Sequence, residues 1–191
     1  MTGRKEQTRI LALGAVFTAL VIILQLMGSF IRFGPFAISL VLVPIVIGAA
    51  TCGYKIGAWL GFVFGVVVLA SGDAAPFLAI DVFGTVLTVL LKGTACGFAA
   101  GLAYEVLKKY NRYLAVIAAA IVCPVVNTGV FLLGCLVFFM EAISEWGLSA
   151  GFNNVAAYMF LGLAGGNFLF ELASNVVLSP VIIRVLNIFK K

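Results

Sequence analysis

Lys92 and Glu171 lie inside otherwise apolar stretches of this chain. A charge at the centre of a bilayer costs about 2.5–3.5 kcal/mol or more, so a chain keeps one there for a partner: another side chain, an ion or a ligand. Tyr158, Asn127, Asn167 and Asn175 are the other polar groups in the same part of the chain. Asn167, Glu171 and Asn175 recur every four residues and so share one helix face. At 1.5 Å per residue, Lys92 falls ~15 Å from the outer end of its span and Asn127 ~20 Å below Met140. These depths predict a polar pocket for a small molecule, formed by Lys92, Asn127, Tyr158, Asn167 and Glu171. If Lys92 and Glu171 neutralise each other instead, the same residues form a structural cluster with asparagines bonded across helices.

Other chemistries find little support in the residue types. Histidine is absent, which removes the commonest metal ligand and the usual proton shuttle near neutral pH. Cys52, Cys96, Cys123 and Cys135 show no CxxC spacing and read as small buried hydrophobes. No glycine run has the GxxxxGK[ST] pattern of a phosphate loop. Neither a metal nor a cofactor is expected, and the chain reads as a binding protein rather than an enzyme.

The elements that must position these residues are membrane helices. Of 191 residues 64% are apolar and 10% charged, and the mean hydropathy is +1.23, too little polar surface for a soluble domain. With ~20 residues per crossing, the apolar stretches predict six spans at about 10–30, 37–53, 56–71, 82–104, 114–140 and 155–187. The fold expected is an all-α integral membrane protein, one membrane domain over 1–191 forming a compact six-transmembrane-helix bundle. The basic start and first apolar run resemble a signal peptide, but the run is too long and lacks a small-residue cleavage site. It is expected to remain as the first helix.

Ten of the twelve Lys and Arg residues then fall on one side: Arg4, Lys5, Arg9, Lys55, Lys108, Lys109, Arg112, Arg184, Lys190 and Lys191. The positive-inside bias makes that side, with both termini, cytoplasmic. The net charge of +5 is thus topological, and its dispersal argues against nucleic acid. Asp73, Asp81, Glu141 and Glu145 face outward. The turn-rich segment from Ser71 to Phe77, with Asp73, has the composition of a lid, which Asn153 and its neighbours could complete. Asp81 is expected to cap the fourth helix, and Trp146 to anchor at the lipid interface.

Gly57, Gly61 and Gly65 in the third span, and Gly93, Gly97 and Gly101 in the fourth, form stripes that let two helix axes approach closely. Ala12, Ala15 and Ala19 make a weaker small-residue stripe on the first.

Taken together, six spans in about 190 residues, cytoplasmic termini and an AxxxA element at Ala15-Val16-Phe17-Thr18-Ala19 resemble the S components of energy-coupling factor (ECF) transporters, the vitamin-binding membrane subunits of prokaryotic importers. Ser71-Gly72-Asp73-Ala74-Ala75-Pro76-Phe77 and Cys123-Pro124-Val125-Val126-Asn127-Thr128-Gly129 are similar to segments of a widespread subgroup. The resemblance implies a multi-pass protein of a prokaryotic plasma membrane, surrounded by lipid. It would bind a vitamin or precursor from outside with helices four to six and a lid around Asp73 and Asn153. It would then dock through Ala15 and Ala19, with Ala12 beside them, onto a transmembrane T component carrying two cytoplasmic ATPases, and topple to release its cargo. ATP hydrolysis belongs to those partners.

For the ligand, Lys92 suits a carboxylate, and Asn127, Asn167 and Glu171 suit hydroxyls and amides. Pantothenate combines all three, and the resemblance leans toward S components assigned to it. If Lys92 and Glu171 pair together, a neutral ligand is equally expected. The alternative is a stand-alone ion-coupled secondary transporter in which Glu171 carries a proton or cation and Lys92 tunes it.

Overall fold

The computed structural model describes residues 2–30, 32, 33, 36, 37 and 40–189; Lys190 and Lys191, counted above, lie outside them. The described chain is helical apart from a two-residue antiparallel ribbon, β1 (Arg32–Phe33) against β2 (Phe36–Ala37). Its helices are α1 (Thr2–Phe30), α2 (Leu42–Cys52), α3 (Tyr54–Ser71), α4 (Ala75–Leu78), α5 (Val82–Leu107), α6 (Arg112–Phe138) and α7 (Met140–Ser149). There follow a short α8 (Val155–Ala157), a π-helical segment (Tyr158–Gly165), α9 (Gly166–Val177) and α10 (Ser179–Phe189).

Among the described residues five stretches are long and apolar enough to cross a membrane: Arg4–Gly28, Tyr54–Ser71, Val82–Leu107, Arg112–Phe138 and Val155–Val177. The second span expected from the sequence is different in kind. Among the described residues of 37–53 the helix is Leu42–Cys52, 11 residues or ~16 Å at 1.5 Å each, about half the thickness of a hydrocarbon core. Pro44 sits in its first turn, where a missing N–H costs little. Gly53, with φ +93°, stops it and turns the chain directly into α3. This left-handed position favours glycine because it has no Cβ.

Helix directions follow from the cross-contacts. Along α1 and α3, Gly14 lies near Ile56, Thr18 bonds Trp59 and Gln25 bonds Asp73, so these two helices run parallel. Gly57 meets Gly97, Gly61 meets Gly93 and Gly65 meets Val89, so α3 and α5 are antiparallel. Thr88 faces Gly134 across the short connection from Leu107 to Arg112, so α5 and α6 are antiparallel, and Asn127 of α6 reaches Glu171 of α9. Since α1 and α3 are parallel, the chain between them returns from one end of the bundle to the other, with α2 as its helical part. α2 touches α1, α3, α5, α6, α9 and α10, and its Leu42, Ile45 and Val46 are fully buried.

The glycine stripes have the role expected of them. A Cβ on Gly61 would collide with the carbonyl of Gly93, and one on Gly57 with the carbonyl of Gly97. The α3 and α5 backbones thus touch directly, where van der Waals contact holds helices together in lipid. Hydroxyls within the spans bond back to their own helices: Thr18 to the Gly14 carbonyl at 2.8 Å, Thr94 to that of Leu90 at 2.7 Å.

At its C-terminal end α6 stops at Phe138, two residues short of the expected limit, because Phe139 turns to φ −127°. The long last span is divided at Leu178, just before Pro180, and α10 buries Ile182 and Leu186 while exposing Arg184.

Candidate functional site

A cavity of about 350 Å³ opens among α3, α5, α6, the π segment and α9. Phe64 and Val68 of α3 and Val89 of α5 make an apolar wall. Asp73, Ala74, Pro76 and Phe77, from the segment after α3, lie over its end. Gly72, with φ +84°, ends α3 in the left-handed conformation and starts this cover.

Of the residues named from sequence, Lys92, Asn127, Tyr158, Asn167, Glu171 and Asp73 all line this cavity. Asn153 does not: it is exposed in the turn before α8, beside Asn154, whose side chain caps that helix by accepting from Ala156 N at 2.8 Å. Asn175 is buried but turned away, donating to the Glu171 backbone carbonyl at 2.9 Å. Asp81 occupies the N-cap position of α5 without a side-chain cap bond.

Glu171 is 2% exposed and Asn127 4%. The carboxylate of Glu171 accepts from Asn167 Nδ2 at 3.2 Å and from Asn127 Nδ2 at 3.5 Å. The Oδ1 atoms of both asparagines are buried and receive no donor from the described protein. Burying a polar atom unpaired costs roughly 1–3 kcal/mol, and these two oxygens have almost no surface open to the cavity.

Lys92 is differently placed. Its Nζ stands 5.7 Å from the centre of the Phe64 ring and 5.3 Å from that of Phe131, within the ~6 Å reach of cation–π attraction. Among the described residues no carboxylate lies within 4.0 Å of it. Lys92 and Glu171 therefore share the cavity without closing an ion pair.

Gln25, Phe77 and Trp146 also line the cavity and were not picked out as site residues from the sequence. Gln25 of α1, 3% exposed, donates to Asp73 Oδ2 at 2.9 Å, where Ser71 Oγ also donates at 2.9 Å. A glutamine in the first apolar run was the signal available. Phe77 stacks edge-on with Phe131, Phe139 and Trp146, with ring centres 5.1–5.6 Å apart. Trp146 thus lines the cavity, where an interfacial anchor was expected. Tyr158 begins the π segment with its ring packed against Gly147 and Gly162. π-Helical turns are frequent at functional sites.

A bundle of helices long and apolar enough to cross a membrane, with a partly open cavity that brings charged and amide side chains among apolar ones, has the build of a membrane protein. The comparisons give that class its family. Residues 9–185 match the family described as ECF transporter, substrate-specific component, and the chain belongs to that family. Its members are transporter components rather than enzymes. The chain is also similar to the pantothenic acid transporter PanT of Lactococcus lactis subsp. cremoris (strain MG1363), 26% identical over 199 residues that span 96% of each chain. No solved structure matches it.

Proposed function

We propose that the chain captures pantothenate at the outer face of a prokaryotic plasma membrane and passes it inward with a transmembrane T component and two cytoplasmic ATPases. The observation that carries the ligand is one cavity lined by the Lys92 ammonium, with no carboxylate within 4.0 Å among the described residues, and by Glu171, Asn127, Asn167 and Tyr158. Pantothenate brings a carboxylate for the ammonium, and two hydroxyls and an amide for the polar side chains. About 350 Å³ is near the lower end of the ~300–1,000 Å³ typical of small-molecule sites. That fits a short flexible acid and disfavours a cobalamin-sized cargo. The similarity to PanT speaks for the same ligand.

The parallel course of α1 and α3 supports six passages, five by long helices and one by the segment containing α2, with both ends on one side. The ten dispersed basic residues make that side cytoplasmic. Ala12, Ala15 and Ala19 are exposed along α1, a smooth face suited to docking the T component. Lys92, Asn127, Tyr158, Asn167, Glu171 and Asp73 are the binding residues of this reading, and Asn153 belongs to the outer rim.

The test is purification of the chain alone in mild detergent, denaturation, and mass spectrometry of what is released, with calorimetry on the emptied protein. Stoichiometric pantothenate, or tight rebinding of it, is the expected result. An empty protein that gains no thermal stability from pantothenate removes the ligand assignment.

A further inference from the structure

The last membrane span changes its winding where it meets the cavity. Its lining residues are Tyr158, Leu163, Ala164, Asn167 and Glu171. Leu163, Asn167 and Glu171 follow at four-residue steps, as one face of an α-helix requires, but Tyr158 precedes Leu163 by five. A π turn closes its hydrogen bond at i+5 rather than i+4 and so takes up one residue more, and Tyr158–Gly165 is wound in this way. Continued α winding, at about 100° per residue, would present other side chains. Tyr158, nine residues before Asn167, would then lie half a turn away from it, on the opposite side. Phe160, seven residues before Asn167 and so two α turns back, would take the cavity side; it is instead 63% exposed on the outer surface.

Glycines make room for this winding. An added Cβ on Gly165 would stand 2.8 Å from the carbonyl oxygen of Phe160, five residues back, where a π turn has its acceptor. That contact is with backbone, so no side-chain rotation relieves it. An added Cβ on Gly162 would stand 2.6 Å from the Tyr158 ring, which also packs on Gly147 of α7 and tilts against Phe152 at 5.4 Å. Gly166, next in the chain, has nothing within 4 Å of such a carbon. We infer that the π segment sets the register of the binding site: it brings Tyr158, in place of Phe160, to the face of Asn167 and Glu171, with Gly165 a positioning residue that admits the wide turn and Gly162 one that seats the Tyr158 ring. A phenol thereby stands where α winding would put a phenyl, which suits a ligand carrying hydroxyls and an amide. The inference rests on the small-molecule capture proposed above.

The test takes two readouts on the full chain in nanodiscs. The first is calorimetry with pantothenate. Gly165→Ala should bind about tenfold or more weakly than wild type, while Gly166→Ala and Phe160→Ala stay within about threefold of it. Tyr158→Ala and Gly162→Ala should each weaken binding, and the two together no more than Tyr158→Ala alone, because without the ring the added methyl displaces nothing. The second readout needs no ligand: the rate at which Tyr158→Cys and Phe160→Cys are labelled by a charged, water-soluble thiosulfonate, each combined with Cys52→Ser, the other native thiols being buried. A thiol reacts as its thiolate, which needs water. Tyr158→Cys should therefore label about tenfold faster than Phe160→Cys, and adding Gly165→Ala should abolish or reverse the difference. If Gly165→Ala fails to fold, labelling in the otherwise unaltered winding decides. Equal labelling of the two positions, or equal losses of affinity in Gly165→Ala and Gly166→Ala, overturns the inference while leaving pantothenate as the cargo. Failure of wild type to bind pantothenate removes that ligand, and the labelling pattern alone then decides the register.

Discussion

Gln25 Nε2 donates to Asp73 Oδ2 at 2.9 Å, joining the C-terminal part of α1 to the cavity-lining segment proposed as its cover. The same helix carries the exposed Ala12, Ala15 and Ala19 on its other stretch. Cover and proposed docking face are thus connected through one helix and one hydrogen bond.

Breaking that bond should loosen the cover. Gln25→Leu removes the donor at similar volume and leaves Asp73 with Ser71 as a partner. Ligand dissociation should be about tenfold faster with association changed less, since a hydrogen bond to a charged group contributes ~1.5–3 kcal/mol. Stopped-flow displacement measures it, and an unchanged dissociation rate would show that the bond does not hold the cover down.

Tryptophan fluorescence should report occupancy from a single position. Trp146 lines the cavity against Phe77, while Trp59 is half exposed on the outside, its Nε1 bonded to Thr18. Ligand titration should shift emission in wild type and in Trp59→Phe, and leave it flat in Trp146→Phe. A signal that follows Trp59 would contradict the site.

Glycines with different surroundings should respond oppositely to one added carbon. Gly61→Ala sets a methyl against the Gly93 carbonyl and should destabilise the α3–α5 pair by roughly 1–3 kcal/mol. Gly129→Ala meets nothing within 4 Å and should be neutral or gain up to ~1 kcal/mol of helix propensity. Thermal unfolding in one detergent compares the two directly.

The docking face should separate binding from uptake. Ala15→Leu combined with Ala19→Leu adds bulk to an exposed stripe that does not line the cavity. Affinity for ligand should be unchanged in the isolated chain, while uptake by proteoliposomes containing the T component and ATPases should be lost. Uptake by the isolated chain under an ion gradient, with no ATPases present, would favour the stand-alone transporter.

Much of this architecture was legible because lipid punishes stray polarity. Lys92, Asn127, Asn167 and Glu171 stood out against apolar neighbours, and helical rise alone put them at matching depths. The glycine stripes announced the α3–α5 contact through their four-residue spacing. Asn153 and Trp146 were harder, since in a connecting segment polarity and aromaticity fit rim, anchor and lining equally well. Only tertiary packing turned Trp146 inward and left Asn153 exposed. The length of α2 was hidden because an apolar run reads alike whether helical throughout or only in part. The π turns of 158–165 had no signal beyond the glycines at 162, 165 and 166.

The aromatic pair around Lys92 bears on how cargo leaves. Phe64 and Phe131 come from α3 and α6, and they offer the ammonium a resting place worth about 0.5–2 kcal/mol. A carboxylate that takes the ammonium away from the rings must compete with them, and one that departs gives it back. An importer subunit works in cycles, and a cation with no alternative partner would make the unloaded state the least favourable step of each cycle. If Lys92 meets the cargo as proposed, the two rings would give the unloaded protein a stable form between rounds of capture.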